Sequence, residues 1–173
     1  TLRRRDPAGA GATIFATGYI WDLYMGMAMD SANNLYFTNS GTLYKTPTGG
    51  VASITTVATG FTNASGIAID ETTGNTLILL ADRGAGKIYL LNAQTGFKDE
   101  VASGLNSPRA VAFGEDKVTG ALYYYVAEPD RVLRLPDPKI KLDSRISDGA
   151  IKVLISKKGT TDTYPCALQT QEA

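Results

Sequence analysis

The stretch Val57-Ala58-Thr59-Gly60-Phe61 decides the fold of this chain, because the sequence repeats it. Earlier in the chain the same pattern reads Phe15-Ala16-Thr17-Gly18-Tyr19, and later it reads Val101-Ala102-Ser103-Gly104-Leu105. The copies recur every 42 to 44 residues. Self-similarity at a fixed period of this size indicates a repeat architecture, in which each copy is one supersecondary unit.

Each copy is followed by short apolar runs of strand length. The first runs are Gly26–Asp30, Gly66–Asp70 and Ala110–Gly114. The second runs end in an amide or an acid, and third runs that mix apolar and charged residues come after them. Asn, Ser and Gly separate the runs, as expected for turns. Units of this length with four short strands are typical of β-propeller blades, so the predicted fold class is all-β with almost no helix.

The predicted strands form blades of four antiparallel strands. They lie near 12–16, then near 26–30, 35–39, 42–46, 52–58, 66–70, 76–81, 87–91, 98–103, 110–114, 121–127, 131–135 and 150–156. The predicted domain organisation is a lead-in at 1–11, followed by a partial propeller at 12–173. Its blade units are placed at about 18–60, 60–104 and 104–159, with the start of another at 160–173.

The length of the chain limits how much of a propeller it forms. Six blades of roughly 42 residues need about 250 residues, and the chain has 173. We therefore expect about three blades with flanking partial blades, equal to half of a six-bladed propeller. Additional residues of a longer polypeptide, or a second copy of this chain, would close the ring. The excursion from Pro136 to Gly149 is excluded from the sheet interior, because it contains prolines and a charged run.

Composition excludes several classes of function. Lys and Arg together number 17, as do Asp and Glu, so the sequence has no electrostatic signature of a nucleic-acid or anionic-membrane partner. No apolar run is long enough to span a membrane as a helix. Histidine is absent and Cys166 is the single cysteine, which excludes Ser-His-Asp triads, histidine metal sites and internal disulfides. Chemistry would have to use carboxylates, amides, Arg, Lys, Tyr or a hard metal ion.

The second unit resembles NHL-type repeats. The resemblance rests on Gly66-Ile67-Ala68-Ile69-Asp70, followed by Leu80-Ala81-Asp82 and Gly86-Lys87-Ile88-Tyr89. Similar repeats occur in the six-bladed superfamily of gluconolactonase-like, strictosidine synthase-like and sorbosone or glucose dehydrogenase-like propellers. Gly104–Phe113 and Tyr125–Arg134 are most similar to the sorbosone dehydrogenase-like branch. The resemblance covers roughly residues 12 to 135, and it implies the blade architecture more strongly than any activity.

The chain departs from the enzymes of these branches. In gluconolactonase-like enzymes the resemblance implies an asparagine ligand of a divalent cation just before the innermost strand, but here those positions are Met25, Ser65 and Arg109. Quinone-dependent sugar dehydrogenases of this fold are expected to use a histidine as base, and this chain has none. We therefore expect no catalytic residue in this chain alone.

In propellers of this kind, one face surrounds the axial opening and usually binds the ligand. It is formed by the loops before the innermost strands and the loops after the second strands, and we call these loops the axial rim. The resemblance places on this rim the candidate ligand or partner contacts Trp21, Asp22, Tyr24, Asn63, Ser65, Asn106 and Arg109. Trp21 and Tyr24 offer the best aromatic contacts in the chain. Packing of these rings into the core or rim is the alternative interpretation.

Three polar residues at the ends of the second runs are candidate metal ligands. Asn39, Asp82 and Glu128 occupy one position in three successive units. Oxygen ligands that converge on an axis suit Ca²⁺ or Mg²⁺. Such residues at strand ends also hydrogen-bond the backbone of their own turns, which is the alternative interpretation.

Two hypotheses for the function follow from this sequence. The favoured one is an extracellular or periplasmic binding or scaffold module with a protein or carbohydrate ligand. The alternative is half of an extracytoplasmic enzyme that acts on a sugar or a lactone with Ca²⁺. Asn63-Ala64-Ser65 also fits the N-glycosylation triplet, which matters only in a secreted eukaryotic protein.

Overall fold

The computed structural model describes residues 2–5, 12–16, 24–47, 53–72, 74–115, 118–136 and 152–156. Within these ranges every regular element is a β-strand, so the predicted all-β class is confirmed. β1 (Leu2–Arg5) and β2 (Ala12–Ala16) form a two-stranded antiparallel sheet in which Arg5 pairs with Ala12. In the part of the chain that the structure describes, no helix is long and apolar enough to cross a membrane.

The other strands form three four-stranded antiparallel sheets, each with its strands in chain order, and we call these sheets blades 1 to 3. Blade 1 contains β3 (Met27–Met29), β4 (Asn34–Asn39), β5 (Thr42–Pro47) and β6 (Thr55–Thr59). Blade 2 contains β7 (Ala64–Asp70), β8 (Leu77–Asp82), β9 (Lys87–Asn92) and β10 (Lys98–Ala102). Blade 3 contains β11 (Ala110–Glu115), β12 (Leu122–Ala127), β13 (Arg131–Pro136) and β14 (Lys152–Ser156).

The predicted strands of the three blades are confirmed, but one strand in the structure was not predicted. The lead-in was expected to become strand only near Ala12, whereas Leu2–Arg5 already pairs with β2. The run Arg3-Arg4-Arg5 has no apolar alternation that could signal a strand, and backbone pairing with β2 does not require one. The division of the chain into blade units stays a prediction, and residues 160–173 lie outside the described residues.

The second strand of blade 2 shows why these apolar runs fold as inner sheet strands. Ile78, Leu79, Leu80 and Ala81 are all fully buried, because neighbouring blades cover both faces of the sheet. A strand that is buried on both faces reads as a continuous apolar run instead of an alternating one. The position of β8 in the middle of the stack is thus encoded in its composition.

Two hydrophobic cores hold the three blades face to face. The core between blades 1 and 2 includes Tyr36 and Ile78. The core between blades 2 and 3 includes Leu79 and Tyr124. The hydroxyl of Tyr124 donates to the carbonyl of Val101, 3.4 Å away across the interface. Successive side chains of a strand point to opposite faces, so each blade contributes to one core on each side.

The side chains of the Tyr123-Tyr124-Tyr125 run alternate between the two faces of blade 3. Tyr124 is 2% exposed in the core between blades 2 and 3. Tyr123 and Tyr125 point to the other face of blade 3 and are half-buried. The turns also follow the prediction, since Asn33 (φ 60) and Gly74 (φ 76) adopt the left-handed conformation between first and second strands.

The outer face of blade 1 leaves apolar side chains in water. Met27 and Met29 are 51% and 53% exposed, whereas Ala28 between them packs against the core between blades 1 and 2. On the same blade Phe37 is fully buried and stacks on Tyr44, with 5.3 Å between ring centroids. The innermost strand of blade 1 therefore presents one packed face and one half-exposed face.

Candidate functional site

The innermost strands of the three blades converge where they begin. A Cβ added to Gly26 would lie 2.3 Å from the Ser65 carbonyl oxygen, and one added to Gly66 would lie 2.5 Å from that of Arg109. The amide of Gly66 donates to the Arg109 carbonyl at 2.9 Å. Small residues at this point permit the close approach. We call this line of contacts, at Gly26, Ser65-Gly66 and Arg109-Ala110, the inner seam.

Ser65 is part of the inner seam and not of the accessible surface. Its side chain is fully buried, and its hydroxyl lies 3.0 Å from both the Ala81 carbonyl and the Pro108 carbonyl. Its own carbonyl accepts a 2.8 Å hydrogen bond from the hydroxyl of Thr38, which accepts another from the amide of Gly26. Ser65 thus connects all three blades beneath the axial rim, where a ligand cannot reach its hydroxyl without displacing these bonds.

The burial of Ser65 also affects the Asn63-Ala64-Ser65 triplet. Attachment of a glycan requires an accessible surface loop. Here the Ser65 hydroxyl is enclosed, and the backbone amide and backbone carbonyl of Asn63 are hydrogen-bonded within the fold. In the folded chain, Ser65 of the triplet is therefore buried in the inner seam.

The carboxylate of Asp82 fastens the loop before β7. One oxygen accepts from the amide of Thr62 at 2.8 Å, and the other accepts from the amides of Asn63 at 2.8 Å and Ala85 at 3.2 Å. Asp82 is 1% exposed. Both oxygens are therefore occupied by backbone donors from two loops of the rim.

In blade 3, Glu128 fastens the loop before β11. One oxygen accepts from the amide of Asn106 at 2.7 Å, and the other forms a buried ion pair with the Nε of Arg131. In blade 1, Asn39 is half-buried and its Oδ1 lies 3.5 Å from the neighbouring Ser40 hydroxyl. The bond from the amide of Ala85 to Asp82 is an own-turn bond of the kind described in the alternative interpretation, whereas the amides of Thr62, Asn63 and Asn106 belong to the loops before the innermost strands.

The arrangement of these three residues gives no support to a metal centre. No group of three or more Asp, Glu, His or Cys that could hold a metal ion occurs among the residues that the structure describes. The oxygens of Asp82 and Glu128 would have to give up backbone amides or an arginine to bind Ca²⁺. The metal role of Asn39, Asp82 and Glu128 therefore stays a prediction.

An aromatic ring and two arginines from three blades meet at the rim. The guanidinium carbon of Arg83 lies 3.9 Å from the centre of the Tyr24 ring, and that of Arg109 lies 5.2 Å from it. Tyr24 comes from the loop before β3, Arg83 from the loop after β8, and Arg109 from the loop before β11. Cations over a tyrosine ring are attracted by its negative face. We call Tyr24, Arg83 and Arg109 the rim cluster.

The rim cluster includes a donor that lacks a partner. Arg83 is half-buried, and its Nε is shielded from solvent without a hydrogen bond to any described residue. Oδ1 of Asp130, in the β12–β13 turn on the same face, is likewise shielded and without a partner among the described residues. Arg109 is exposed. Unsatisfied buried polar atoms are rare, and each requires an explanation.

The other predicted contacts lie around the rim cluster or beyond the described residues. Asn63 is half-buried and Asn106 is exposed, and both offer their backbone amides to the loop-fastening carboxylates. Trp21 and Asp22 lie outside the described residues. Arg83 follows the second strand of its unit and so belongs to the loops that define the axial rim, but it was not among the predicted contacts. Its position directly after Asp82, before Gly84, is the only local signal that could have singled it out.

A separate cavity of ≈ 210 Å³ opens on the opposite end of blades 2 and 3. Phe113, Tyr123 and Leu122 line it together with the acidic residues Asp70 and Glu115. The sequence did not predict this cavity, because its walls come from the strand ends of two different blades. It lies at the end of the blades away from the rim cluster.

Comparisons with known proteins agree with this architecture. A scan against protein-family models and a search of curated proteins found no match. The chain is similar to a propeller chain of the nidogen/laminin complex, with 20% identity and a TM-score of 0.56 over 78% of this chain and 48% of that chain. It is also similar to virginiamycin B lyase from Staphylococcus aureus, with 15% identity and a TM-score of 0.48 over 74% of this chain and 39% of that chain.

At such identities a similarity to solved structures indicates the fold alone. The chain spans about half the length of the matched chain of the nidogen/laminin complex. The three stacked sheets, their inner seam and this similarity show that the chain has an all-β fold built of β-propeller blades.

Proposed function

We propose that this chain is a segment of a β-propeller that serves as a binding module, with its ligand or protein partner at the axial rim. The observation that supports this most strongly is the rim cluster. Tyr24 is half-buried and lies within 5.2 Å of two guanidinium carbons from two other blades. Aromatic and arginine side chains are the types that dominate binding energy at interfaces.

A binding role is supported over an enzymatic role by the state of the rim carboxylates. Asp82 and Glu128 are two rim carboxylates among the described residues, and both are buried and hydrogen-bonded to backbone amides. A catalytic carboxylate has to reach the reacting atoms of a substrate. Half of a sugar- or lactone-acting enzyme is therefore the weaker candidate.

The proposal includes closure of the propeller by further chain or by a second copy, in the six-bladed, NHL-like arrangement. Its support is the innermost strand on the outer face of blade 1, where Met27 and Met29 are 51% and 53% exposed. Exposed apolar surface costs about 25 cal/mol per Å², and contiguous apolar surface commonly marks an interface. An extracellular or periplasmic location completes the proposal, and cell fractionation of the native protein tests it.

Binding to arrays of peptides and saccharides tests the role of the rim. Binding of the array ligands is expected to be lost in the Tyr24→Ala variant and retained in the Tyr123→Ala variant. The control is matched, because Tyr123 also stacks under an arginine, with Arg134 4.3 Å from its ring centre, but belongs to blade 3 away from the rim cluster. Equal binding by Tyr24→Ala and the wild type would refute a binding site at the rim.

Activity assays test the alternative. Lactone hydrolysis and sugar oxidation, measured with Ca²⁺ and a quinone, are expected to show no turnover above buffer. Turnover in either assay that is lost in Asp82→Asn or Glu128→Gln would show that the chain acts as an enzyme and would contradict the binding-module proposal.

A further inference from the structure

Arg83 has a donor that the protein itself leaves without an acceptor. The guanidinium carbon of Arg83 lies 3.9 Å from the centre of the Tyr24 ring, and the Nε of Arg83 is shielded from solvent and unpaired among the described residues. Leaving a shielded donor of a charged group unpaired is unfavourable, and an acceptor from outside would remove that cost.

Blade 3 shows what the fold does when such a donor is satisfied internally. Arg131 is buried, and its Nε is bound by the carboxylate of Glu128. In blade 2 the residue that corresponds to Glu128 is Asp82, and both of its oxygens are used by backbone amides. Arg83 therefore lacks the internal carboxylate that Arg131 has.

A second cation lies beside this donor. Arg109 is exposed, and its guanidinium carbon is 5.2 Å from the centre of the same Tyr24 ring. Both guanidinium groups therefore lie near one ring. The distance between them cannot exceed the sum of their two distances from the ring centre. Among the described residues, neither arginine forms an ion pair. Two like charges held this close attract a group of opposite charge.

We propose that Arg83 and Arg109 bind a carboxylate group of the ligand at the axial rim. This inference rests on the proposed binding function and specifies its chemistry. A planar guanidinium fork matches the two coplanar oxygens of a carboxylate, which it binds through two parallel hydrogen bonds. The carboxylate comes from an acidic side chain of a protein partner or from a small free acid, and the test separates these two sources.

The test follows the Nε–Hε signals of the ¹⁵N-labelled chain by NMR during titration with four probes. The probes are glutarate, an acetylated and amidated tetra-glutamate peptide, the matching tetra-glutamine peptide, and inorganic phosphate. Saturable shifts of the Arg83 and Arg109 signals are expected with glutarate and the glutamate peptide, and none with the glutamine peptide. Tighter binding of the peptide than of glutarate identifies a protein segment as the source, and equal binding identifies a free acid.

Variants give the expected magnitudes. Arg83→Gln is expected to weaken binding about 10- to 100-fold, because it removes charge-assisted bonds made by a half-buried guanidinium group. Arg109→Gln should weaken it about two- to fivefold, because that arginine is exposed. Arg83→Lys keeps the positive charge but lacks the guanidinium fork, so it should lower the affinity by an intermediate amount. Arg134→Gln is the matched control, since Arg134 stacks on Tyr123 away from the rim, and it should bind like the wild type.

Specific results would overturn the inference. These are an Arg83 signal that does not move, wild-type affinity in Arg83→Gln and Arg109→Gln, an equal loss in Arg134→Gln, or tighter binding of phosphate than of glutarate. Arg109→Gln keeps the test valid if Arg83→Gln unfolds, because Arg109 is exposed. If neutral array ligands depend on Tyr24 but not on Arg83 or Arg109, the binding module stands and the carboxylate specificity fails. If Tyr24→Ala keeps all array binding, the proposed function itself fails.

Discussion

Replacing Asp82 with alanine is expected to destabilise the fold substantially, whether or not Ca²⁺ is present. The carboxylate accepts two backbone hydrogen bonds of 2.8 Å and one of 3.2 Å from loops on both sides of it. Each hydrogen bond to a charged group contributes about 1.5–3 kcal/mol. Thr62 is exposed, so its amide regains water in the variant, and the long bond to Ala85 counts for little. The expected loss is therefore about 2–4 kcal/mol in the free energy of unfolding.

Urea denaturation measures this loss, in parallel series with EDTA and with Ca²⁺. With a slope of about 2 kcal/mol per molar urea, the midpoint should fall by about 1–2 M. The control is Asp99→Ala, because Asp99 is an exposed carboxylate on β10, and its midpoint should match the wild type. A loss no greater than that of Asp99→Ala would refute the loop-fastening role. A wild type that gains stability from Ca²⁺, with Asp82→Ala insensitive to it, would favour the metal site instead.

Two further predictions concern the seam and a turn. Gly66→Ala is expected to cost about 1–3 kcal/mol in urea denaturation, because its Cβ would lie 2.5 Å from the Arg109 carbonyl oxygen; an unchanged midpoint would contradict the close approach. For Asp30, burial raises the pKa, but hydrogen bonds from Asn34 and Tyr36 outweigh burial and hold the pKa below its usual value. The stability that the Asp30 carboxylate contributes is present above about pH 4 and is lost as the pH falls through its folded-state pKa. Asp30→Asn should therefore reduce the dependence of the unfolding free energy on pH at acid pH. An unaltered pH dependence in the variant would contradict this.

The blade strands could be predicted because each depends on a local pattern. Gly66–Asp70 and the fully apolar part of β8 read as buried strands, and turn residues such as Asn33 and Gly74 supply the left-handed conformations between them. The strand at Leu2–Arg5 could not be predicted, because its pairing with β2 depends on backbone bonds that an arginine run does not reveal.

The site could be predicted only as a set of loops. The repeat correctly brought Tyr24 and Arg109 to one face, but which side chains reach its surface depends on contacts between blades. Ser65 and Arg109 occupy the same position in successive repeats, yet Ser65 is buried in the inner seam and Arg109 is exposed. The stacking of Arg83 on Tyr24 joins residues of two blades, so no local sequence pattern could show it.

Self-association of the 173-residue chain tests most directly whether blades need a partner to close the ring. Sedimentation equilibrium across a range of concentrations should show a species heavier than the monomer. Oxidation of Met27 and Met29 should slow as that species forms, with the half-buried Met25 as an internal reference. A folded, monodisperse monomer at every concentration, with Met27 and Met29 freely oxidised, would contradict closure by a second copy.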